Sequence, residues 1–308
     1  MSLLTGELRK PSLARTLSEF DPRLLSFGVG RSLIALAQFS TIVFTSPEAL
    51  FQSVLGQGDA PACVSVNVVS LFCIGDDAIP LWLRQTLVAA MLVLVASGYR
   101  PRYTVILHAW IAFSIAGSIA LPDGGDQAAR VICILLIPIG LADNRVWHWS
   151  RPSLQRPNPR MNAVSLAGMV ALRLQIAIIY FQSGVAKLFV DDWANGSAEY
   201  YIVRDPMFGA AGSIKTALEA LTSNPAILAG ATWGPIVAEV AIATLILGPE
   251  SWRRWSLRVV VALHVGIILT MGLWSFGATM IGGVAIAAAT GLRPGRSREA
   301  VETIDTKR

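Results

Sequence analysis

Charge is the property that this sequence lacks most. Only 15% of its 308 residues are charged, whereas 54% are hydrophobic and the mean hydropathy is +0.56. A water-soluble protein of this length needs far more surface charge, so the composition excludes a soluble, fibrous or disordered chain. Eight membrane-crossing helices of about 20 residues would use roughly 160 residues, close to the number of hydrophobic ones. The sequence therefore predicts an all-α, polytopic transmembrane helical bundle.

Cysteine and histidine are also scarce, with three residues of each type. Neither a CxxC nor an HExxH pattern occurs, so we expect no metal site. Cys63 and Cys73 both fall in the segment 51–79, which is predicted to face the oxidising side of the membrane. The compartment favours a disulfide between them, and two unpaired small residues are the alternative. Cys133 is expected only to pack inside a span.

The hydrophobic segments divide the chain into eight predicted spans, and a count of seven is the alternative. We expect a cytosolic arm over residues 1–27, one transmembrane domain over 28–292 and a cytosolic tail over 293–308. The first apolar run lacks an A-x-A exit, so no cleavable signal peptide is expected. The predicted spans are 28–50, 80–98, 103–121, 128–142, 164–189, 226–248, 256–273 and 275–292.

Basic residues are concentrated in alternate connections between the spans. The connections 51–79 and 122–127 contain no Lys or Arg, and 190–225 contains two. This distribution predicts that both termini are cytoplasmic, in a bacterial plasma membrane. Because the net charge of +5 follows topology rather than a basic stripe, we expect contact with lipid and none with nucleic acid. The basic residues assigned to cytosolic connections are Arg100, Arg102, Arg145, Arg151, Arg156, Arg160, Arg253 and Arg254.

Ionisable residues inside predicted spans are costly unless they are paired or hydrated. Counting residues from the span ends places Arg173, Glu239 and His264 at one shared depth. We predict an intramembrane polar cluster of these three, with an Arg173–Glu239 ion pair. A purely structural clamp between helices is the alternative.

Lys187 lies nearer the predicted outer end of its span. Arg173, Tyr180 and Lys187 are seven residues apart and so share a helix face. A lysine partly withdrawn from water can act as a base, and a lysine that merely snorkels to the interface is the alternative. Ser183 is four residues from Lys187, but a Ser–Lys pair is disfavoured because Ser183 is expected to pack between helices. The loop predicted to enter span four on the same side supplies Gly124, Gly125, Asp126 and Gln127.

Two groups of motifs resemble known membrane families. The first group is Tyr180, Phe181, Gly184, Lys187, Leu188, Asp192, Trp193 and Gly196, followed by His264–Gly272, Ser275, Phe276 and Met280. This group resembles the HTTM superfamily, the helical module of vitamin K-dependent γ-glutamyl carboxylases. The second group is the Cys63/Cys73 loop with 30–36, 124–127, 135–138, Asp143, Arg145, His148 and Trp149. It resembles the SdpB family of antimicrobial-peptide systems.

The first resemblance implies that Lys187 is the general base, with His264 as a helper. It also implies a quinone or hydroquinone cofactor. Ala186 stands where the animal carboxylases have a second lysine, which argues against glutamate carboxylation. Asp126 is a further catalytic candidate. The expected substrate or cofactor pocket consists of Gly124, Gly125, Gln127, Tyr180, Ser183 and Trp193.

The second resemblance implies a membrane component of a toxin-maturation system. It would act with an SdpA-like partner on a secreted toxin precursor peptide at the outer face. In this hypothesis Lys187 is the base, and Asp126 and Gln127 orient the substrate. The alternatives are a non-catalytic scaffold or exporter, an immunity protein, and a quinol-dependent carboxylase-like enzyme.

Overall fold

A computed structural model of the chain describes residues 20–53, 61, 63–75, 78–153, 158–206 and 208–291. The described residues are helical apart from connections and one isolated β-bridge, between Tyr99 and Trp147. The all-α prediction is therefore confirmed. Eight helices of fourteen or more residues occur in this part of the chain: α1 (Leu25–Phe44), α3 (Leu81–Ser97), α4 (Pro101–Ser118), α5 (Gly124–Gly140), α6 (Pro159–Lys187), α10 (Pro225–Ile246), α11 (Glu250–Met271) and α12 (Trp274–Ala287).

Each predicted span overlaps one of these helices, and one of the two largest differences in bounds has a local cause. The first predicted span continues to residue 50, but α1 ends at Phe44. Pro47 cannot continue a helix, and Ser46 instead caps the short helix α2 (Pro47–Leu50). At the other end of the chain, Gly272 adopts a left-handed φ of 71° and ends α11, so α11 and α12 are separate helices as predicted.

Among the described residues, four helices are long and apolar enough to cross a membrane: α1, α6, α10 and α11. The helices α3 and α12 are apolar but shorter. Together with the composition, these helices show a membrane protein. The number of crossings and the orientation of the termini stay predictions.

The bundle is held together by close helix approaches at glycines. The helices α1 and α12 pack against each other where Gly30 faces Gly282. A Cβ atom on Gly30 would lie 2.4 Å from the carbonyl oxygen of Gly282, so only glycine fits there. Contacts of this kind are typical of helix pairs in membranes, where close packing drives association. The helix α5 lies between α4, α6 and α12, and its Ile132 and Leu136 are fully buried in the core.

Two of the connections between the long helices are longer than the others and contain short helices. In the first, Cys63 and Cys73 form a disulfide that encloses a 3₁₀ helix (Ser65–Val69). The second contains three short helices, α7 (Asp191–Ala194), α8 (Ala198–Arg204) and α9 (Gly212–Leu221). The Asn224 side chain then accepts from the backbone N–H of Ala226 and starts α10.

The predicted terminal segments lie mostly outside the described residues. This applies to residues 1–19 of the expected arm and to the whole expected tail, 293–308. Where the description begins, the backbone N–H of Asp21 donates to the carbonyl of Gly291 at 2.7 Å. Arg23 forms a buried ion pair with Asp21 at 2.9 Å. Residues 20–24 thus pack onto the bundle next to the end of α12.

Candidate functional site

The site is built where α6 and α10 approach each other at Gly184. A Cβ atom on Gly184 would contact the side chains of Val240 and Glu239 at 3.3–3.4 Å. Because Gly184 has no side chain, α6 and α10 come close enough for side chains near it on α6 to reach α10. Gly184 therefore positions Ser183 and Lys187 against Glu239.

Lys187, Glu239 and Ser183 form one connected polar set. The Lys187 Nζ donates to both carboxylate oxygens of Glu239, at 2.8 Å each. The Ser183 Oγ lies 3.0 Å from Lys187 Nζ and donates to Glu239 Oε1 at 3.0 Å. The two charged side chains are 21% and 11% exposed. Because the low-dielectric surroundings strengthen such contacts, the set is a firmly held ion pair.

These contacts define what the pair can do chemically. The lysine is held as an ammonium by a carboxylate, so its nitrogen has no free lone pair in this arrangement. It could accept a proton from a substrate only after passing one to Glu239 or to another acceptor. The pair is therefore suited to proton transfer with Glu239 as a relay, or to binding an anionic group through the ammonium.

A mostly apolar cavity of about 410 Å³ lies beside the ion pair. Its polar groups are few and lie together, as in many small-molecule sites. The Lys187 ammonium also lies 5.3 Å from the centre of the Trp193 ring, within cation–π distance. The lining residues are Gly124, Ile179, Tyr180, Ser183, Lys187, Trp193, Glu199, Ile202, Pro235, Glu239, Leu263, His264, Ile267, Met271, Leu273, Phe276 and Met280.

Two aromatic residues add polar groups to the cavity wall. The His264 Nδ1 lies 3.0 Å from the Val260 carbonyl, which only accepts, so the proton is on Nδ1 and Nε2 can accept. The Tyr180 ring packs edge-on against His264, with centroids 5.9 Å apart. The Tyr180 hydroxyl is buried and finds no hydrogen-bond partner among the described residues. A buried hydroxyl of this kind is a natural contact for a bound polar group.

A comparison with known proteins gives the family. The chain is 32% identical to the uncharacterized protein YitO of Bacillus subtilis (strain 168), over 88% of each chain. It is 29% identical to the sporulation-delaying protein SdpB of the same strain, over 89% of this chain and 84% of SdpB. The chain belongs to the SdpB-like family.

The SdpB resemblance read from the motifs is thus confirmed, but the wider HTTM resemblance stays a prediction. No family model matches the sequence. No solved structure matches it either.

The structure of this SdpB-like protein brings together most of the predicted site residues. Lys187, His264, Tyr180, Ser183, Trp193 and Gly124 all line the cavity. Ser183 faces α10, as expected of a residue between helices, because its hydroxyl donates to Glu239. It also lies on the cavity wall within hydrogen-bond distance of Lys187, and the absence of a catalytic Ser–Lys pair stays a prediction.

Three predicted site residues, which the sequence placed in a loop, lie in the first turn of α5 and do not reach the cavity. The Asp126 side chain accepts from the backbone N–H of Asp123 in a capping box and is 5% exposed. Gly125 packs against the backbone of Phe276. The Gln127 side-chain amide donates to the Ala116 carbonyl at 3.4 Å. The Asp126 carboxylate caps the start of the helix. It does not line the cavity with the other site residues, so its catalytic role stays a prediction.

The predicted Arg173–Glu239 ion pair is wrong. Arg173 donates instead to the carbonyls of Ala287 and Ala289, at 2.8 and 2.6 Å, at the end of α12. Glu239 meets Lys187 because α10 extends past the end of α6. The turn of α10 that contains Thr232 packs against Glu199 and Gly196, both beyond Lys187 in the chain. The prediction counted depth from the span ends, and it therefore assumed that the ends of the two helices lie at the same level.

Glu199 is a cavity residue that the sequence analysis did not single out. It lies in α8, its backbone N–H donates to the Thr232 hydroxyl at 3.3 Å, and its side chain lines the cavity. Burial raises the pKa of the Glu199 carboxyl above its ordinary value. In the sequence, Glu199 stands out only as part of a predicted outer segment that is rich in acidic and aromatic residues. That composition does not show which helices the segment packs against.

A second polar set inside the bundle was also missed. Arg31 in α1 is fully buried and donates to the Thr104 hydroxyl at 2.9 Å. Farther along the same two helices, the Gln38 Oε1 and the His108 Nε2 are 3.0 Å apart. The spacing of seven residues in α1 and four in α4 could have predicted this pairing, since each spacing keeps both residues on one helix face.

The structure contains no close group of three His, Cys, Asp or Glu side chains able to hold a metal within the ranges it describes.

Proposed function

We propose that this protein is a multi-pass plasma-membrane component of a sporulation-delaying-protein-like toxin system. Its relation to SdpB and its long apolar helices support this. In this proposal all eight long helices cross the membrane, both termini are cytoplasmic, and the α7–α9 segment faces outward. The protein acts with an SdpA-like partner on a secreted toxin precursor.

The cavity is the proposed maturation site, with Lys187 as the general base. The observation that carries the proposal is the Lys187–Glu239–Ser183 set on the wall of an apolar cavity, beside the unpartnered Tyr180 hydroxyl. Glu239 takes the lysine proton and so frees the lone pair that a base needs. The apolar walls exclude water, which strengthens the charges of the set.

A quinone or hydroquinone ring is compatible with the cavity walls. The Tyr180, Phe276 and His264 rings would hold an apolar ring, and Lys187 would face its polar oxygen. When bound in its hydroquinone form, such a group would supply reducing equivalents to the reaction and would leave as the quinone. The proposal for Lys187 does not depend on this group.

The test replaces Lys187 in the full chain, in cells that also make the precursor and partner. Lys187→Ala should abolish maturation of the toxin while the protein still inserts in the membrane at wild-type abundance. Lys215→Ala is the matched control, because Lys215 is the other lysine of this region and lies outside the cavity. Mature toxin is measured by mass spectrometry of the culture medium. Normal maturation with an inserted Lys187→Ala protein would contradict the proposal.

A non-catalytic scaffold is the second candidate function. It is favoured by the hydrogen bonds that already engage every part of the Lys187–Glu239 pair, as in a purely structural contact. The exchange of charges, Lys187→Glu with Glu239→Lys, separates the two functions. A scaffold would be restored by the exchanged pair, because the ion pair can form again. A base at position 187 would not be restored, so maturation should stay absent.

A further inference from the structure

A second site lies on a different face of the bundle, where two connections are clasped together. The connection between α3 and α4 pairs with the one after α5: the Arg100 N–H donates to the Val146 carbonyl at 2.7 Å, and the His148 N–H donates to the Gly98 carbonyl at 3.0 Å. Tyr99 and Trp147 form the isolated β-bridge between these bonds. A small cleft of about 90 Å³ lies beside these two hydrogen-bonded connections.

The cleft is strongly basic. Arg100, Arg102 and Arg145 line it with a single carboxylate, Asp143, which gives a local charge of about +2. Asp143 is engaged by Arg145, whose side chain is 7% exposed, through bonds of 2.8 and 2.6 Å. This buried pair forms the floor of the cleft. The charges of Arg100 and Arg102 are therefore left for a ligand.

Arg100 and Arg102 keep donors available for that ligand. The Arg102 Nη1 donates to the Asn144 side chain at 3.0 Å, and the Arg100 Nε donates to the Tyr99 hydroxyl at 3.2 Å. Each bond uses one N–H group of a guanidinium that has five. Arg100 also has a left-handed φ of 37° directly before Pro101, a conformation that costs energy in a residue with a side chain. The cleft lies at the start of α4, where the helix dipole attracts an anion.

Three exposed aromatic residues form what we call the aromatic rim: Tyr103 lines the cleft, and Trp147 and Trp149 belong to the connection that follows α5 beside it. Tyr103 is 62% exposed, Trp147 is 44% exposed and Trp149 is 48% exposed. Tyr and Trp with large exposed rings beside arginine are typical of the membrane–water interface, where phospholipid phosphates lie. The same connections are among those that the charge distribution assigns to the cytoplasmic side, which carries anionic lipid.

We propose that this cleft binds the phosphate of an anionic phospholipid headgroup. Arg100 and Arg102 contact the phosphate oxygens, the Arg145–Asp143 pair keeps the cleft in shape, and the aromatic rim lies at the level of the headgroups. This site is independent of the proposed function at the Lys187 cavity.

The test measures lipid binding to the full-length protein purified in mild detergent. Native mass spectrometry with phosphatidylglycerol, phosphatidylcholine or no added lipid gives the affinities. Phosphatidylglycerol should bind more tightly than phosphatidylcholine, and the Arg100→Gln/Arg102→Gln variant should bind it about 30-fold more weakly. Addition of an excess of inorganic phosphate should not release the lipid.

The control variant is Arg254→Gln, which removes an exposed arginine on α11 that pairs with Glu250. It should leave phosphatidylglycerol binding unchanged. If the double variant fails to fold, the single variants Arg100→Gln and Arg102→Gln should each weaken binding about fivefold. Equal binding of both lipids, equal binding by wild type and variants, or release of the lipid by phosphate would each overturn the proposal.

Discussion

At the scale of single residues, the ion pair of Lys187 with Glu239 dominates the energetics of the cavity. Both side chains are largely withdrawn from solvent, so each charge depends on the other for stabilisation. The exposed pair of Arg254 with Glu250 lies one turn apart on α11 and offers a comparison with similar chemistry. Exposed pairs of this kind contribute little because water screens them.

Glu239→Gln should therefore destabilise the protein by about 1–3 kcal/mol, since it leaves the lysine charge without its counter-charge. Glu250→Gln should cost less than about 1 kcal/mol. The measurement is the thermal midpoint of each variant in detergent at neutral pH. Equal midpoints for the two variants would mean that the Lys187–Glu239 pair adds nothing beyond a surface contact.

At the scale of helices, packing depends on where glycines allow backbones to touch. Gly30 in α1 and Gly282 in α12 leave no room for a side chain between the two helices. Gly230 in α10 is a matched contrast, because a Cβ atom there would meet nothing within 4 Å. The same substitution should thus have opposite effects at the two positions.

Gly30→Ala should destabilise the protein by about 1–3 kcal/mol, because the added methyl group forces α1 away from α12. Gly230→Ala should be neutral or stabilising by up to about 1 kcal/mol, since alanine favours the helix. Thermal unfolding of both variants in the same detergent tests this. A stabilising Gly30→Ala would show that the two helices are not in close contact.

At the scale of the whole molecule, His148 links the connection after α5 to the rest of the bundle. Its ring is fully buried against Gly28 of α1 and against Gly98, and its Nε2 lies 3.5 Å from the Ser32 hydroxyl. Burial, together with the positive charges of Arg31 and Arg145, lowers the pKa of His148 from 6.5 to about 4. The folded protein therefore holds this histidine neutral.

The unfolded chain takes up the His148 proton at a higher pH than the folded chain, so acid favours unfolding. Stability should be constant above about pH 6.5 and fall toward pH 4, by up to about 1.4 kcal/mol per pH unit from this residue. Thermal midpoints of wild type and His148→Gln over this range test the effect. The variant should show a shallower slope, and parallel slopes would rule out His148 as a source of the pH dependence.

Sequence patterns were sufficient for the helices and for the family. Long apolar runs interrupted by proline and glycine mark the eight long helices, because helix ends are decided by local backbone chemistry such as that at Pro47 and Gly272. The heptad spacing predicts one helix face for Arg173, Tyr180 and Lys187, and of these three residues Tyr180 and Lys187 line the cavity. These features depend on neighbours in the chain alone.

The partners of the buried charges were decided only by the tertiary structure. Glu239 is equally well placed in sequence to meet Arg173 or Lys187, and the choice depends on how far α10 extends past α6. That offset comes from the packing of Thr232 against Glu199 and from the close approach at Gly184. Hydropathy and spacing describe one helix at a time, whereas a charge pair depends on the register between two helices. Contacts distant in sequence set that register.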